Sequence, residues 1–376
     1  MRQFAEQPNE SFLNGLPESL LSVLQSGVAE FPNAERHAGA VVCHSPPDAW
    51  KPSKFSGWDD LSPCPPLGAT HVIGRTMYET DSVPAEWVAR CNKMDRIWVP
   101  TEFHRETFER AGVAADKLAV VGEAVDGSFF NPHTTSPLPL PLLASDWALR
   151  LGGKPFRFLA VFKWELRKGW DALLRAYFDE FDKGDPVELV LKTRPFHSSA
   201  DFEGLIDEFA ATHGLPDRNR RAPVHVLSSE LRLSELPSLY AAADCFVLPS
   251  RGEGWGRPHV EAMAMGLPVI ATNWSGPTAY LDETVGYPLR YTLTPVTAEL
   301  NLPGHNWAEP DVAHLRMLMR QVLSRPDQAR ARGAAARERM LKRFSPAVLA
   351  EDIVRQLEAL PERRRGKKPK KAKEEL

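Results

Sequence analysis

The segment from Glu253 to Glu261 carries the residues of this chain best suited to chemistry, and it reads Glu-Gly-Trp-Gly-Arg-Pro-His-Val-Glu. Gly254 and Gly256 permit a tight bend and a close approach of the backbone to a ligand, and Pro258 suits the first turn of a helix. The bend therefore aims free backbone N–H groups and a positive helix end at one point, which suits a phosphate. Because a carboxylate able to bind hydroxyl groups flanks this point on each side, the segment suggests a nucleotide sugar as ligand.

The elements around this segment alternate between strand-like and helix-like runs, which predicts α/β architecture with parallel sheets. The expected strands are Ala40–His44, His71–Met77, Arg96–Thr101, Leu118–Glu123, Phe156–Phe162, Glu188–Lys192, Val224–Leu227, Cys245–Pro249 and Pro268–Thr272. The expected helices are Ser11–Leu24, Pro84–Lys93, Glu102–Ala111, Trp170–Phe181, Phe202–His213, Leu233–Ala242, Pro258–Met265, Asp311–Leu323, Asp327–Arg343 and Pro346–Leu360. Since such sheets bind ligands at the carboxyl ends of their strands, segment 253–261, which follows an expected strand, belongs to the expected site.

The length of 376 residues favours two domains over a single core. We expect an N-terminal Rossmann-like domain on the acceptor side over 1–135, a proline-rich linker over 136–152 and a C-terminal nucleotide-sugar-binding domain over 153–325. Helices over 326–361 and a basic, disordered tail over 362–376 complete the expected organisation. Only about four strands are clear in the N-terminal part, so that domain is expected to be reduced.

Charge and hydropathy narrow the class of protein. The formal net charge of -3 argues against a nucleic-acid-binding protein. The tail from Glu362 has the opposite charge, because it contains eight Lys or Arg and three Glu. We expect that such a basic run could contact an anionic surface. No apolar run reaches the roughly 18 residues of a membrane span, and no signal-peptide pattern opens the chain. A cytoplasmic location is expected.

The four cysteines, Cys43, Cys64, Cys91 and Cys245, show no Cys-x-x-Cys spacing. Cys43 and Cys245 lie in apolar strand-like runs and are expected to be small buried side chains. A disulfide framework and a zinc site are therefore not expected, and no residue is assigned to a metal.

The stretch from Glu253 to Thr272 resembles the Glu-x7-Glu region of the retaining glycosyltransferases of family four, also described as glycosyl transferases group 1. Four other segments resemble that family in the same order: 98–101, 124–126 with 130–132, 163–169 and 239–244. The resemblance covers residues from about 71 to 300. It implies the GT-B fold, in which two Rossmann-like, doubly wound domains face each other across a cleft.

The resemblance also implies an activity, the transfer of a sugar, most simply a hexose, from a nucleoside-diphosphate sugar to a hydroxyl acceptor with retention. The nucleotide sugar is then a co-substrate and no cofactor is expected. Because the sequence contains no Asp-x-Asp for a metal, the leaving phosphate needs other positive charge. The catalytic set is Glu253, Lys168 and Lys163. The donor-binding set is Glu261, for the ribose, with Gly254, Trp255, Gly256, Arg257, Pro258, Leu227, Ser275 and Gly276.

The N-terminal part departs from the family pattern, since no glycine-rich loop precedes His44 and Tyr78 stands where many relatives have a catalytic histidine. The acceptor-side candidates are His44, Tyr78, Glu79 and Asp81. Two alternatives stay open, a non-catalytic protein that binds nucleotide sugars and a nucleotide-sugar epimerase of the same fold. A dehydrogenase is not expected, because no Gly-x-Gly-x-x-Gly follows the first strand.

Overall fold

A computed structural model describes residues 39–55, 64–65, 69–140, 154–297 and 302–360. The expected helix Ser11–Leu24, most of the expected linker and the basic tail lie outside the described residues. Within the described ranges the chain forms two parallel sheets with helices between the strands and a separate two-stranded hairpin. The predicted α/β architecture is confirmed.

The N-terminal sheet contains four parallel strands within the described ranges, in the order β1-β2-β3-β4. They are β1 (Ala40–His44), β2 (His71–Arg75), β3 (Arg96–Val99) and β4 (Leu118–Val120). Each strand adds to the same side of the previous one, so the winding of these four strands never reverses. The strand positions expected from the sequence are confirmed, with earlier ends for β2, β3 and β4.

The C-terminal sheet is the larger one, and its six strands are all parallel to their neighbours. They are β5 (Phe156–Trp164), β6 (Val187–Pro195), β7 (Val224–Leu227), β8 (Cys245–Leu248), β9 (Val269–Thr272) and β10 (Tyr287–Leu289), in the order β10-β9-β8-β5-β6-β7. The chain adds β6 and β7 on one side of β5 and then returns to place β8 on its other side. The winding therefore reverses between β5 and β8, and such a reversal opens a crevice at the carboxyl ends.

Nine α-helices connect or follow these strands in the described part of the chain. They are α1 (Ala85–Cys91), α2 (Glu102–Ala111), α3 (Trp170–Glu180), α4 (Phe202–Thr212), α5 (Leu236–Ala241), α6 (Arg257–Ala264), α7 (Val312–Ser324), α8 (Pro326–Arg343) and α9 (Pro346–Glu358). The expected helix Leu233–Ala242 is divided into a 3₁₀ turn and α5, because Pro237 interrupts the backbone hydrogen bonding at its start. None of the described helices is both long and apolar enough to cross a membrane.

Contacts of α9 tie the end of the chain back to the N-terminal sheet. Ile353 of α9 and Leu360 pack against a small buried cluster formed by Ile73, Trp98 and Val121. The main hydrophobic core surrounds the C-terminal sheet, where all four residues of β8 are buried, as expected for a strand covered on both faces. The C-terminal helices therefore belong to both halves of the molecule.

A hairpin of β11 (Tyr291–Pro295) and β12 (Asn306–Pro310) follows the C-terminal sheet and is not among the strands expected from the sequence. Its strands pair antiparallel with each other and with neither parallel sheet. Strand β11 has only five residues, and all of them are half-exposed or exposed. Such a short, exposed strand gives a weak signal in an analysis of hydrophobic patterns.

The expectation for Cys43 was wrong in one respect. Cys43 is buried, but it forms a disulfide with Cys64, and their Cα atoms lie 5.7 Å apart. The two residues are separated by 21 positions, so no short motif marks the pair. Cys91 and Cys245 are free and buried, as expected for Cys245.

Candidate functional site

A cavity of about 340 Å³ lies at the carboxyl ends of β5 and β6, beside the first turn of α6. Five cationic side chains line it, against the single carboxylate of Glu165, and they are Lys163, Arg167, Lys168, Lys192 and Arg194. Pro258 closes the α6 side of the cavity. A concave surface with this excess of positive charge suits a polyanion such as a diphosphate.

Glu253 stands beside this cavity as a buried carboxylate, with only 5% of the residue exposed. The ammonium of Lys168 donates to both of its carboxylate oxygens at 2.8 Å. Arg167 Nη1 lies 3.7 Å from Glu253 Oε2. Burial alone would raise the pKa of Glu253, but the charges of Lys168 and Arg167 outweigh it and lower the pKa to about 2. The carboxylate is therefore ionised at every physiological pH.

The local backbone around Lys168 explains how this pair forms. Gly169 has φ of 67°, and a Cβ at this position would stand 2.0 Å from the carbonyl oxygen of Pro249. Glycine therefore lets the turn after β5 approach the loop after β8 directly. Arg167 Nη1 donates to the carbonyl of Gly252 at 2.6 Å, which joins the same two loops one residue before Glu253.

Arg251 anchors the loop that carries Glu253. Its buried guanidinium makes two hydrogen bonds to Asp171, two to Glu309 and one to the carbonyl of Leu166, at 2.6 to 2.8 Å. These partners lie after β5, on α3 and on β12. Sequence reasoning passed over Arg251, since a lone arginine beside a strand carries no motif, yet five hydrogen bonds make it the main support of this loop.

The bend before α6 has the form expected of it. Gly256 caps the helix with φ of 92°, and Pro258 occupies its first turn. A Cβ on Gly254 would stand 2.1 Å from the sulfur of Met77, so this glycine permits a close contact with the N-terminal half. The helix N-terminus and the amides of the bend are thus available at one side of the crevice.

Trp255 and Arg257 point away from the cavity. The Trp255 ring is 2% exposed and packs edge-to-face on Tyr280 and Phe344, so only its backbone can contact a ligand. Arg257 Nη1 donates to the carbonyl of Ala124 at 3.0 Å, and its side chain also lies near Glu123 and Glu261. Arg257 therefore ties α6 to the segment after β4.

Glu261 differs electrostatically from Glu253. Its Oε2 accepts a hydrogen bond of 2.9 Å from the Tyr240 hydroxyl, and its Oε1 lies 3.6 Å from Arg257 Nε. Burial raises the pKa of Glu261, and the opposing effects of Arg257 and Tyr240 do not cancel the shift. Tyr240 therefore orients this carboxylate, and Arg257 is its charged neighbour.

Ser275 and Gly276 hold the bend rather than face open space. The Ser275 hydroxyl donates to the carbonyl of Glu253 at 2.6 Å, and the Gly276 amide donates to the same oxygen at 2.9 Å. A Cβ on Gly276 would meet the carbonyl oxygens of Glu253, Gly254 and Trp255 within 2.9 Å. These two residues therefore support the loop 249–256, which carries Glu253 and is called the donor loop below.

The cavity wall at β6 contains residues that sequence reasoning missed. The Lys192 ammonium donates to the carbonyls of Leu227 and Ser229, which places it beside the expected base position at Leu227. The Thr193 hydroxyl is buried and has no hydrogen-bond partner within the described residues. Lys163, which the sequence analysis did predict, lies on β5, is exposed and stands 5.2 Å above the Phe196 ring. The sequence did offer one signal for Lys192, because this lysine ends the expected apolar strand Glu188–Lys192.

The acceptor-side candidates separate into three kinds. Glu79 is partly exposed, and its Oε1 lies 3.8 Å from Arg167 Nη1, which also approaches Glu253. Tyr78 packs on Trp87, and burial raises its pKa to about 12, so its hydroxyl stays protonated. His44 is exposed at the end of β1.

Asp81, the fourth acceptor-side candidate, is held by Asn306. Its Oδ1 accepts a hydrogen bond from the Asn306 backbone N–H at 2.7 Å, and its Oδ2 accepts one from the Asn306 side-chain amide at 2.8 Å. Both oxygens therefore bind the β11–β12 hairpin. Of the four candidates, Glu79 is the one that the structure brings to the cationic cavity.

The fold of the described chain matches solved two-domain structures. HepE from Anabaena, solved in complex with UDP and glucose, superimposes with a TM-score of 0.58 at 18% identity, covering 77% of this chain and 72% of HepE. Sucrose-phosphate synthase from Thermosynechococcus elongatus gives a TM-score of 0.58 at 18% identity, covering 95% of this chain and 81% of that protein. At such identities the likeness establishes the fold, which is GT-B.

The sequence of the C-terminal half matches a known family. Residues 156–294 match the family described as Glycosyl transferases group 1. They include β5 to β10, the cavity, Glu253 and Glu261. The predicted resemblance to group 1 glycosyltransferases is therefore confirmed over this part of the chain.

Curated relatives match over parts of their length. The 2-deoxystreptamine glucosyltransferase of Streptomyces kanamyceticus is 30% identical over 235 residues, which is 62% of this chain and 52% of that protein. The MMP alpha-(1->4)-mannosyltransferase of Mycolicibacterium hassiacum is 28% identical over 244 residues, which is 64% of this chain and 48% of that protein. The chain thus spans about half the length of these two relatives.

Proposed function

We propose that this chain transfers a sugar from a nucleoside-diphosphate sugar to a hydroxyl acceptor, with retention and without a metal ion. The observation that carries the proposal is the pairing of Glu253 with Lys168 at the rim of a cavity lined by five cationic side chains. A sugar-binding carboxylate and a diphosphate-binding surface are thereby adjacent, as a nucleotide sugar requires.

The named relatives and solved neighbours support the substrate class. Both curated relatives are named as glycosyltransferases, one for glucose and one for mannose. HepE was solved with UDP and glucose together. A nucleoside diphosphate bearing a hexose is therefore the donor class to test, with uridine, guanosine and adenosine as candidate bases.

In the proposed reaction the bond between the sugar C1 and the diphosphate oxygen breaks, and the acceptor oxygen attacks C1 on the same face. The proton of the acceptor hydroxyl passes to the departing phosphate oxygen, so atoms and charge balance without a protein nucleophile. Lys168, with Lys163 further along the wall and the α6 N-terminus, stabilises the negative charge that develops on the diphosphate. Closure of the cleft would limit the access of water and keep hydrolysis slow.

Each carboxylate has a separate role in this proposal. Glu253, ionised because its pKa is about 2, holds the hydroxyls of the donor sugar and balances positive charge on its ring. Glu261, oriented by Tyr240, accepts hydrogen bonds from the ribose hydroxyls. The two residues lie at opposite ends of the bend that receives the diphosphate.

A panel of UDP-, GDP- and ADP-hexoses tests this function by thermal stabilisation, since a ligand that binds only the folded state raises the melting temperature. The expected result is stabilisation by one base series, followed by release of the matching nucleoside diphosphate when hydroxyl acceptors are added. Binding without turnover across an acceptor panel would instead support the non-catalytic alternative. Sugar epimerisation without an acceptor would support the epimerase.

A further inference from the structure

The β11–β12 hairpin connects the two halves of the molecule at a point close to the proposed reaction. Asp81 lies in the loop after β2, and Asn306 begins β12. The Asp81 backbone N–H donates to the Asn306 backbone carbonyl at 3.0 Å. The Asp81 carboxylate accepts one hydrogen bond from the Asn306 backbone N–H and one from its side-chain amide. Three hydrogen bonds thus join residues that are 225 positions apart.

The neighbouring residues form a second connection. The Thr80 hydroxyl lies 2.7 Å from His305 Nδ1, and both residues are buried. That hydroxyl also donates to the carbonyl of Ser82 at 3.0 Å, so it accepts from the histidine N–H. Tyr78 completes the contact, since its ring lies 5.6 Å from the His305 ring. We call these contacts between residues 78–81 and 305–306 the interdomain strap.

The other end of the hairpin is fixed to the donor loop. The Ala308 amide donates to the Arg251 carbonyl at 3.0 Å, and Glu309 binds the Arg251 guanidinium. The hairpin therefore bridges from Arg251, two residues before Glu253, to Asp81, two residues after Glu79. The hairpin thus links the backbone near both carboxylates.

Glu79 gains a defined position from this arrangement. Its carbonyl oxygen would lie 2.0 Å from a Cβ on Gly252, so the loop after β2 rests directly on the backbone that precedes Glu253. Its carboxylate lies 3.8 Å from Arg167 Nη1, and the same nitrogen lies 3.7 Å from Glu253. One guanidinium group thus stands between a carboxylate from each half.

We propose that Glu79 binds the acceptor hydroxyl and that the interdomain strap positions it over the donor site. This inference rests on the proposed function, because it assigns the acceptor side of that reaction. Asp81 and Asn306 are positioning residues and touch no substrate. Misplacement of a reacting group by about 1 Å can slow a reaction about 100-fold, so such a strap has a measurable role.

A charge swap tests the strap directly. Asn306→Asp places two carboxylates in contact and should open the strap, whereas the double variant Asp81→Asn with Asn306→Asp restores one donor and one acceptor. Spin labels at the exposed positions Glu106 and Asn219 report the distance between the halves. We expect a longer or broader distance distribution in N306D and the wild-type distribution in the double variant. A wild-type distribution in N306D would overturn the strap.

Turnover tests the role of Glu79. The probe is slow hydrolysis of the best-binding nucleotide sugar of the panel, in which water replaces the acceptor alcohol. N306D and Glu79→Gln should each lower the hydrolysis rate about 10- to 100-fold with little change in the Michaelis constant for the donor, and the charge swap should recover most of it. The combined variant E79Q/N306D should be no slower than the slower single variant, because both act through one contact. Additive losses would refute positioning of Glu79 by the strap.

Nucleotide binding separates this inference from the proposed function. Calorimetry with UDP, GDP and ADP should give the same affinity for the wild type and N306D, since the strap lies outside the diphosphate surface. If no nucleoside diphosphate binds the wild type, the proposed function fails and the assignment of Glu79 fails with it. The distance measurement then still decides whether the strap exists.

Discussion

The two parallel sheets of this chain position their charged residues in different ways. In the C-terminal sheet the winding reverses between β5 and β8, and the loops that follow these strands bring Lys168 onto Glu253. Arg251 ties the second of these loops to α3 and to β12. In the N-terminal sheet the described strands follow one direction, and Glu79 depends on the β11–β12 hairpin for its position. The donor side is therefore formed mainly by the loops of its own sheet, with support from the hairpin, whereas the acceptor side is positioned by contacts between domains.

The difference has a physical origin. A reversal of winding leaves a crevice between two adjacent strand ends, so loops on both sides converge on one place. Strands that follow one direction leave no such crevice between neighbours, and a catalytic loop there needs an external support. The predictions below test whether the donor side is as self-contained as this comparison implies.

The largest effect is expected for Lys168→Ala. Loss of the ammonium should lower turnover about 100- to 1,000-fold, the range for removing one group that stabilises transition-state charge. The effect on donor binding should be smaller, because the charge on the leaving diphosphate grows only during the reaction. Steady-state kinetics with the best-binding nucleotide sugar measure both quantities. Lys342→Ala, on the exposed face of α8, is the matched control. A change confined to the Michaelis constant would contradict the catalytic role.

Arg251→Met tests the support beneath the donor loop. We expect a loss of about 3 kcal/mol in the free energy of unfolding, at the lower end for breaking a buried ion pair, because Glu309 is 37% exposed. The free energy of unfolding of Arg251→Lys should lie between those of the wild type and Arg251→Met, since one ammonium cannot bind Asp171 and Glu309 as the guanidinium does. Urea denaturation followed by circular dichroism gives the values. Equal stability of the methionine variant and the wild type would show that the loop needs no such anchor.

Glu261→Ala should weaken nucleoside-diphosphate binding by about 1.5–3 kcal/mol, the range for hydrogen bonds to a charged group. Tyr240→Phe should have a smaller effect, since it removes only the group that orients the carboxylate. Titration calorimetry with UDP, GDP and ADP is the measurement, with the exposed Glu358→Ala as control. Unchanged affinity would remove Glu261 from the ribose site.

Lys192→Met should weaken the same binding by about 1 kcal/mol, as expected for one hydrogen-bonding group at the cavity wall. The loss should shrink at high salt, because part of it is the attraction between the ammonium and the diphosphate. The control is Lys154→Met, an exposed lysine before β5. A loss of equal size in both variants would indicate a general charge effect rather than a contact.

The smallest expected effect is the pH dependence of nucleoside-diphosphate binding, which should distinguish Glu261 from Glu253. Burial raises the pKa of Glu261, and the ionised form is the better acceptor for ribose hydroxyls, so binding should weaken as the pH falls through that raised pKa. Glu253 adds nothing in this range, because its pKa is about 2. Calorimetry between about pH 8 and about pH 5 measures the trend. A dependence that persists in Glu261→Ala would assign it to another group.

Much of the fold could be predicted because its signals are local. Buried strands such as β8 are continuous apolar runs, and helices such as α2 begin at a capping residue, Thr101, and end at Gly112 with positive φ. These features act through neighbours in the chain. The β11–β12 hairpin could not be found in the same way, because its short strands are stabilised by contacts with Asp81 and Arg251, which are distant in sequence.

The amino-acid sequence by itself determined most of the strands and helices, the bend between Glu253 and Glu261 and the resemblance to the family, because glycine, proline and hydrophobic periodicity act over a few residues. Tertiary structure alone decided which cations face Glu253, that Trp255 and Arg257 turn away from the cavity, that Cys43 pairs with Cys64 and that Asp81 binds Asn306. Those outcomes depend on which surfaces meet when the sheets and the hairpin pack together, and no short stretch of sequence contains that information.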